Sequence, residues 1–246
     1  MFRLRHVALV VALFIACALT ACGSATAETT QNPTAAATVA PTAAPTAAAS
    51  ANGLTVVDAT TIVGPKNFTT AYTPTNADGT LNFVVEIPTG TNAKWEVTKD
   101  GTQLAWEIKD GKPRVIKYLG YVGNYGMVPQ TKGGDGDTLD VLALGPALER
   151  GTVVQAKLIA VLKYREGDAN LGPEDDKLLA ILPDSPLYND VNSLKDLNEK
   201  YPEVSTIVST WFNNYKGPGA MFFQSYGETT DAQAVLNAAI TAFTGK

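Results

Sequence analysis

Three aspartates lie within six residues of one another in the segment Asp135-Gly136-Asp137-Thr138-Leu139-Asp140, which leads directly into the apolar run Val141-Leu142-Ala143-Leu144. Carboxylates this close repel one another and raise each other's pKa unless cations lie between them. Their hard oxygens suit Mg²⁺, Mn²⁺ or Ca²⁺, and Mg²⁺ sites usually combine one or two carboxylates with water and substrate phosphate. The segment therefore predicts a divalent-metal site, and it suggests a phosphate substrate.

A calcium-binding turn is the alternative interpretation of this segment. It fits an EF-hand loop poorly, because the sixth position is Asp140 rather than Gly and the twelfth is Pro146 rather than Glu. On its own, the segment leaves a catalytic metal site, a calcium site and a structural turn open.

The composition excludes several classes of function. With 19 basic and 24 acidic residues the net charge is -5, so we expect no nucleic-acid partner. The only histidine is His6, and the two cysteines are Cys17 and Cys22. The chain beyond these residues therefore cannot support a Ser-His-Asp or Cys-His mechanism, or a His-ligated zinc site. Any catalysis must use carboxylates, Lys, Tyr or metal-activated water.

The N-terminal residues are typical of an export signal. Arg3 and Arg5 precede an apolar stretch, residues 7–19, which is shorter than the roughly 20 apolar residues of a membrane span. It ends in Leu19-Thr20-Ala21-Cys22, which resembles the lipobox of bacterial lipoproteins. The resemblance implies a signal peptide over residues 1–21, lipid on Cys22 and an extracytoplasmic protein anchored to the bacterial membrane. An ordinary secretory signal with an incidental cysteine is the alternative.

Two segments of different composition follow. Residues 22–53 are mostly Ala, Thr, Pro and Ser, with few side chains that could form a core. Such a segment cannot bury enough apolar surface to offset the entropy of ordering it, so we predict a disordered tether. Residues 54–246 are long enough for one globular domain with a sizeable core.

Strand patterns dominate the first two thirds of this domain, and helical patterns come late. A hairpin is predicted from residues 95–98 and 104–108, and further strands are predicted at 81–87, 115–118, 139–144, 153–162 and 178–182. Ser193 can cap a helix over 194–201, and Pro202 can open the next helix, which runs to about Tyr215. The apolar face of that helix is predicted to comprise Val204, Ile207, Val208 and Trp211. A terminal helix starts near Asp231, with Val235, Leu236, Ala239, Ile240 and Phe243 directed inward. This order predicts an α+β domain, a small barrel with flanking helices.

Further segments accompany the aspartate cluster in a fixed order: Val85-Glu86-Ile87-Pro88, Asn92-Ala93-Lys94-Trp95-Glu96, Gly111-Lys112-Pro113-Arg114, Gly123-Asn124-Tyr125-Gly126, Glu174-Asp175-Asp176-Lys177-Leu178 and Asn214-Tyr215-Lys216. Together with residues 135–141 they resemble the motifs of soluble family I inorganic pyrophosphatases, from about Phe83 to Gly227. The resemblance implies a five-stranded, OB-like β-barrel with helices outside it. It also implies Mg²⁺-dependent hydrolysis of pyrophosphate to two phosphates, with several Mg²⁺ ions in the site. Members of that family commonly assemble, so a homo-oligomer is compatible with it.

The resemblance also implies roles for individual residues. Asp135, Asp140 and Asp175 match metal ligands, and Asp137 matches the general base that takes a proton from the attacking water. Glu86 matches an acid that supports a further metal or its water shell, and Glu96 corresponds to a polar active-site residue. The positions that match phosphate-binding or water-orienting residues are Lys94, Arg114, Tyr125, Lys177, Tyr215 and Lys216.

The chain departs from the family pattern at two places. Thr138 stands where the signature usually has Pro, which loses loop rigidity but no ligand. The acidic metal ligand expected shortly before Asp175 is matched best by Glu166, with Asp168 as a close competitor. Tyr121 matches a further active-site tyrosine less closely.

We therefore expect an exported Mg²⁺-dependent inorganic pyrophosphatase. The main alternative is a lipoprotein that binds metal and pyrophosphate without turnover. A solute-binding lipoprotein is a third hypothesis, although such receptors usually close two lobes around their ligand.

Overall fold

The predicted aspartate segment leads into a strand, Asp140–Leu144, that lies inside the larger sheet. The computed structural model describes residues 48–49 and 52–244. Its strands are β1 (Ala48–Ala49), β2 (Thr55–Asp58), β3 (Thr61–Val63), β4 (Leu81–Ile87), β5 (Trp95–Val97), β6 (Gln103–Trp106), β7 (Ile108–Lys109), β8 (Lys112–Pro113), β9 (Asn124–Met127), β10 (Asp140–Leu144), β11 (Val153–Glu166), β12 (Lys177–Ile181) and β13 (Met221–Gly227). Its helices are α1 (Leu194–Lys200), α2 (Val204–Asn214) and α3 (Thr229–Thr244).

The larger sheet has the strand order β12-β10-β9-β4-β11-β13. The long strand β11 also pairs with β12, so the pairings among β4, β9, β10, β11 and β12 close on themselves. Strand β10 is buried along 141–144 and lies parallel to β12, with Asp140 opposite Lys177. A strand covered on both faces reads as a continuous apolar run, which is how this segment appears in the sequence. This register brings an aspartate and a lysine from distant motifs to the same end of two strands.

A second sheet of five strands has the order β1-β2-β3-β6-β5, and β7 and β8 pair with each other separately. Its β5–β6 hairpin confirms the predicted one and pairs Trp95 with Trp106. The buried cluster beneath it contains Leu54, Ile62 and Phe68 together with Trp95 and other side chains. Residues 54–82, which precede the segment that resembles the known family, are therefore part of the packed domain.

The helices cover the sheets from outside. The Ser193 hydroxyl accepts from the backbone N–H of Asp196 at 3.0 Å, which confirms the predicted cap of α1. On α3, Ala232, Leu236 and Ala239 are buried in one core cluster with side chains of β10 and β12. Sheets and helices together make the α+β architecture that the sequence predicts.

Three details of the prediction are wrong. Residues 115–118 do not form a strand, because only Val115 bridges Ala93 and the surrounding backbone hydrogen bonds are irregular. Helix α2 begins at Val204 rather than at Pro202, because Glu203 adopts a left-handed φ of 68° and serves as the N-cap. Ile207 is 56% exposed, because the buried face of α2 is centred on Val208, Trp211 and Phe212.

Two strands of the larger sheet were not predicted, β9 and β13. Strand β9 reads as a turn in sequence because it contains Asn124 and Gly126. Gly126 is required there, since a Cβ at this position would collide with the backbone carbonyl of Val84 on β4.

Several N-terminal predictions fall outside the described residues, namely the signal peptide over 1–21, the lipidated Cys22 and most of the tether over 22–53. They remain predictions. None of the helices within residues 48–49 and 52–244 has the length and apolarity needed to cross a membrane.

Candidate active site

A single cavity of about 620 Å³ brings together the predicted site residues of the domain. Its walls include every one of them: Glu86, Lys94, Glu96, Arg114, Tyr125, Asp135, Asp137, Asp140, Glu166, Asp175, Lys177, Tyr215 and Lys216. These side chains come from strands β4, β5, β9, β10, β11 and β12 and from the loops between elements. The predicted lipidation site, Cys22, lies outside the described residues.

The loop before β10 holds the first aspartates of the cluster. The Asp135 carboxylate accepts from the backbone N–H of Asp137 at 3.1 Å, and Gly136 between them adopts a φ of 93°. Glycine is the residue that tolerates this conformation without strain. The buried Thr131 hydroxyl closes the loop, donating to the Val128 carbonyl at 2.6 Å and accepting from the Leu139 N–H at 3.0 Å. The Asp137 carboxylate is left exposed at the cavity.

Lys177 lies between two of the predicted metal ligands. Its Nζ is 2.7 Å from Asp140 Oδ2 and 2.8 Å from Asp175 Oδ1, and only 1% of its side chain is exposed. Burial by itself lowers the pKa of Lys177, but the two carboxylates outweigh it and hold the pKa well above its ordinary value. Burial raises the pKa of Asp140, and the nearby Lys177 and the Tyr125 hydroxyl, which donates to Asp140, bring it below its usual range. Both groups are therefore charged.

Lys216 occupies a similar place on the neighbouring wall. Its Nζ lies 3.0 Å from Glu166 Oε1 and 3.7 Å from Asp175 Oδ2. Asp168, the competitor of Glu166, is not among the cavity residues, and its carboxylate instead accepts from the backbone N–H groups of Asn170 and Leu171 at 2.8 Å. Of the two acids, the structure places Glu166 in the cavity.

Glu86 is the most deeply buried acid of the cavity. Burial raises its pKa to about 8, against the lowering effect of Lys94 and of the Val97 N–H, which donates to the Glu86 carboxylate at 2.7 Å. Lys94 in turn forms an ion pair of 2.6 Å with the half-exposed Glu96. Burial therefore favours the neutral form of Glu86. Burial lowers the pKa of Lys94, but Glu96 and the other nearby acids outweigh it and raise that pKa above its ordinary value.

Arg114 reaches the cavity from the segment after β8. Its Nη1 donates to both oxygens of Glu107, at 2.9 and 2.7 Å. Glu107 was not predicted. The sequence feature that could have identified Glu107 is the turn at Asp110-Gly111, between Glu107 and Arg114. This turn brings the two arms of a short hairpin side by side.

Sequence reasoning also missed several residues that line the cavity, namely Thr69, Thr98, Lys99, Thr131, Lys132 and Phe243. Thr69 precedes the segment that resembles a known family, and Phe243 comes from the end of α3, so no motif singles them out. Tyr121, the weaker match, is buried behind the wall with its ring centroid 5.1 Å from that of Tyr125.

The cavity combines oxygen ligands for hard cations with cationic groups for phosphate oxygens. Burial raises the pKa of Asp135, and the charges of Asp140 and Asp175 raise it further, so a bound cation would stabilise its carboxylate form. Among residues 52–244, no three His, Cys, Asp or Glu side chains are grouped as a metal site as they stand. Lys177 and Lys216 neutralise the carboxylates in the arrangement described.

Comparison with known proteins agrees with the chemistry of the cavity. The family model described as inorganic pyrophosphatase matches residues 83–244. The chain is 34% identical over 161 residues to the inorganic pyrophosphatase of Kluyveromyces lactis, which covers 58% of this chain and 55% of that protein. The chain thus spans about half the length of the curated relatives it matches.

Two solved structures with 29% and 30% identity are matched over nearly their whole length. The inorganic pyrophosphatase of Helicobacter pylori has a TM-score of 0.60 and 29% identity, covering 71% of this chain and 99% of that one. The inorganic pyrophosphatase of Neisseria gonorrhoeae has a TM-score of 0.57 and 30% identity, covering 70% of this chain and 96% of that one.

Proposed function

Because the chain belongs to the inorganic pyrophosphatase family, whose model matches residues 83–244, we propose that it hydrolyses inorganic pyrophosphate to two phosphates. The observation that carries this proposal is the shared cavity. Residues separated by up to 130 positions, from Glu86 to Lys216, line one space in which acids and bases alternate. A compact, highly charged anion needs such an arrangement, since its oxygens require both cationic side chains and metal ions.

Mg²⁺ is the metal we propose for this site. Asp135, Asp140 and Asp175 would hold it, with Glu86 and Glu166 as further acids of the same cavity. When bound, Mg²⁺ supplies neutralisation of phosphate charge and lowers the pKa of coordinated water. The elevated pKa of Asp135 supports this assignment, because a carboxylate destabilised by its neighbours gains most from a cation.

The side chains of the cavity can carry the remaining chemistry. Asp137, exposed at the cavity, takes the proton of the attacking water. The water oxygen then bonds to one phosphorus, the bond from that phosphorus to the bridging oxygen breaks, and the bridging oxygen leaves with the second phosphate. Lys94, Arg114 and the Tyr215 hydroxyl face the cavity and would hold the phosphoryl oxygens. Burial raises the pKa of Tyr215 to about 12, so its hydroxyl stays a donor.

The closed pairing of β4, β9, β10, β11 and β12 supports a further assignment. We propose that these strands form the OB-like barrel of the family, with the cavity at the end where Asp140 and Lys177 face each other. Hydrogen exchange in which the backbone amides of these strands open together, as one cooperative unit, would support it. Independent exchange of β12 and β4 would contradict it.

The assay that tests the function is release of phosphate from pyrophosphate by the purified domain from residue 54 onward, with Mg²⁺. We expect turnover that stops when Mg²⁺ is chelated. Circular dichroism verifies folding in the same sample, and light scattering reports whether a homo-oligomer forms. A folded protein that binds pyrophosphate in calorimetry but releases no phosphate would be the non-catalytic binding protein instead.

The N-terminal residues support an extracytoplasmic, lipid-anchored protein as a separate proposal. It rests on the positive start, the apolar stretch over 7–19 and the cysteine that follows it. Cells that express the full chain should incorporate a fatty-acid analogue into the protein, and Cys22→Ser should abolish the label. Retained label in that variant would remove the assignment of Cys22.

A further inference from the structure

Arg150 makes two contacts behind the wall of the cavity without lining it. Its Nε donates to the backbone carbonyl of Glu86 at 2.9 Å, and its guanidinium lies 4.5 Å from the centre of the Trp95 ring. No ion pair between Arg150 and a carboxylate is present in residues 52–244. A guanidinium stacked on an indole face is attracted by the ring electrons. Arg150 therefore joins strand β4, through Glu86, to strand β5, through Trp95.

Trp95 lies between two cavity residues, Lys94 directly before β5 and Glu96 within it. Lys94 and Glu96 both line the cavity, whereas Trp95 between them is not among the residues that line it. The Trp95 side chain is buried, and its ring stacks on Trp106 with centroids 5.7 Å apart. The buried Trp95 ring is therefore packed directly beside the backbone that carries Lys94.

The Trp106 ring contacts the backbone of Arg114, a second cationic residue of the cavity. The Trp106 Nε1–H donates to the backbone carbonyl of Arg114 at 2.7 Å, and the backbone N–H of Lys94 donates to the same carbonyl at 3.0 Å. We call the series Arg150, Trp95 and Trp106 the Arg150 stack. It connects the main chain of Glu86 in the larger sheet with Lys94 and Arg114.

We propose that Arg150 is a positioning residue that fixes Lys94 and Arg114 relative to the rest of the cavity, an inference that rests on the proposed function. Lys177 and Lys216, the other assigned cations, belong to β12 and to the segment after α2. The phosphoryl oxygens must be held by both sets at once, so the separation between the sets determines affinity. The Arg150 stack sets that separation from behind the wall.

The test is Arg150→Met, which keeps the apolar stem and removes both the charge and the donor. We expect the KM for pyrophosphate to rise roughly fivefold to tenfold with kcat changed less than about twofold. Arg150→Lys should recover part of the KM, because it restores a cation over Trp95. In a Lys94→Met background, Arg150→Met should add little, because residues that act through one another give non-additive effects.

The control is Leu197→Val in the core under α1, which lowers stability without touching the stack. Should Arg150→Met fold poorly, Trp106→Phe keeps an aromatic ring beside Trp95 and removes the donor to the Arg114 carbonyl, and a similar rise in KM is expected. If the wild type hydrolyses nothing, the proposed function fails, and the comparison is then made on the Kd for pyrophosphate from calorimetry. The inference is overturned if the KM or Kd for pyrophosphate is unchanged in Arg150→Met and Trp106→Phe. It is also overturned if Leu197→Val raises that constant equally, or if the effects of Lys94→Met and Arg150→Met on it simply multiply in the double variant.

Discussion

Lys177 places its ammonium nitrogen 2.7 Å from the Asp140 carboxylate at the floor of the cavity. The parallel register of β10 and β12 sets these two residues side by side. The second carboxylate, that of Asp175, shares the same nitrogen at 2.8 Å. Lys177 therefore holds together two acids that we propose as Mg²⁺ ligands.

Replacing Lys177 with Met should destabilise the metal-free domain. The change leaves two carboxylates close together in a buried site, and breaking one side of a buried ion pair costs about 3–5 kcal/mol. The loss should be smaller with saturating Mg²⁺, because bound metal stabilises the folded state. Urea unfolding in chelator and in Mg²⁺ measures both values.

Lys195→Met is the matched control, since its exposed pair with Glu199 on α1 contributes less than about 0.5 kcal/mol. An equal loss for Lys177→Met with and without Mg²⁺ would argue against metal binding by Asp140 and Asp175.

Asp137→Asn should slow turnover by roughly 10²–10⁴ if Asp137 is the general base. Its carboxylate is exposed and no ion pair involves it in residues 52–244, so the free energy of unfolding should change by less than about 0.5 kcal/mol. Phosphate release at saturating pyrophosphate measures the effect, and Asp184→Asn on the exposed surface is the control. Turnover at the wild-type rate in Asp137→Asn would remove the role.

Glu107→Ala should raise the KM for pyrophosphate several-fold. The bidentate contact of Glu107 fixes the Arg114 side chain, and without it Arg114 must be ordered by the substrate itself. The pair is partly exposed, so the free energy of unfolding should fall by at most about 1 kcal/mol.

Steady-state kinetics distinguish this from a loss of the fold, because kcat should stay near that of the wild type. Glu199→Ala, which removes the exposed partner of Lys195, is the control and should leave KM unchanged. A lower KM in Glu107→Ala would instead show that Glu107 competes with the substrate for Arg114.

Glu86 should make the metal-free domain less stable as the pH rises. Burial raises its pKa in the folded state from 4.5 to about 8, so between these values the folded protein holds a proton that the unfolded chain has released. The contribution of Glu86 to stability is therefore complete below pH 4.5 and is lost as the pH rises toward about 8.

Chemical denaturation across this pH range, in chelator, measures the slope. Glu86→Gln removes the titrating group and should flatten the slope relative to the wild type, whereas Glu96→Gln at the half-exposed neighbour should leave it in place. Identical slopes in the wild type and Glu86→Gln would exclude this explanation.

The sequence predicted most of the larger sheet because its strands are apolar and bounded by turn residues. Residues 81–87 and 139–144 are of this kind, and the structure confirms the first with the predicted bounds and the second with its start one residue later. Strand β9 was not predicted, because its buried positions are Asn, Tyr, Gly and Met, whose fit depends on the close approach of β4. Ile207 was predicted on the buried face of α2 but is exposed, because spacing along a helix does not say which neighbour covers which face.

The sequence by itself determined which chemistry the cavity could use, since residues 23–246 supply carboxylates, lysines and tyrosines and contain no imidazole or thiol. Only the tertiary structure decided which of these groups meet. Glu166 rather than Asp168 faces the cavity, and Lys177 joins Asp140 to Asp175. Arg150, in the loop before β11, reaches Trp95 of β5. The reason is physical: side-chain chemistry is local, whereas contacts between distant residues depend on strand register and packing, which the whole chain sets together.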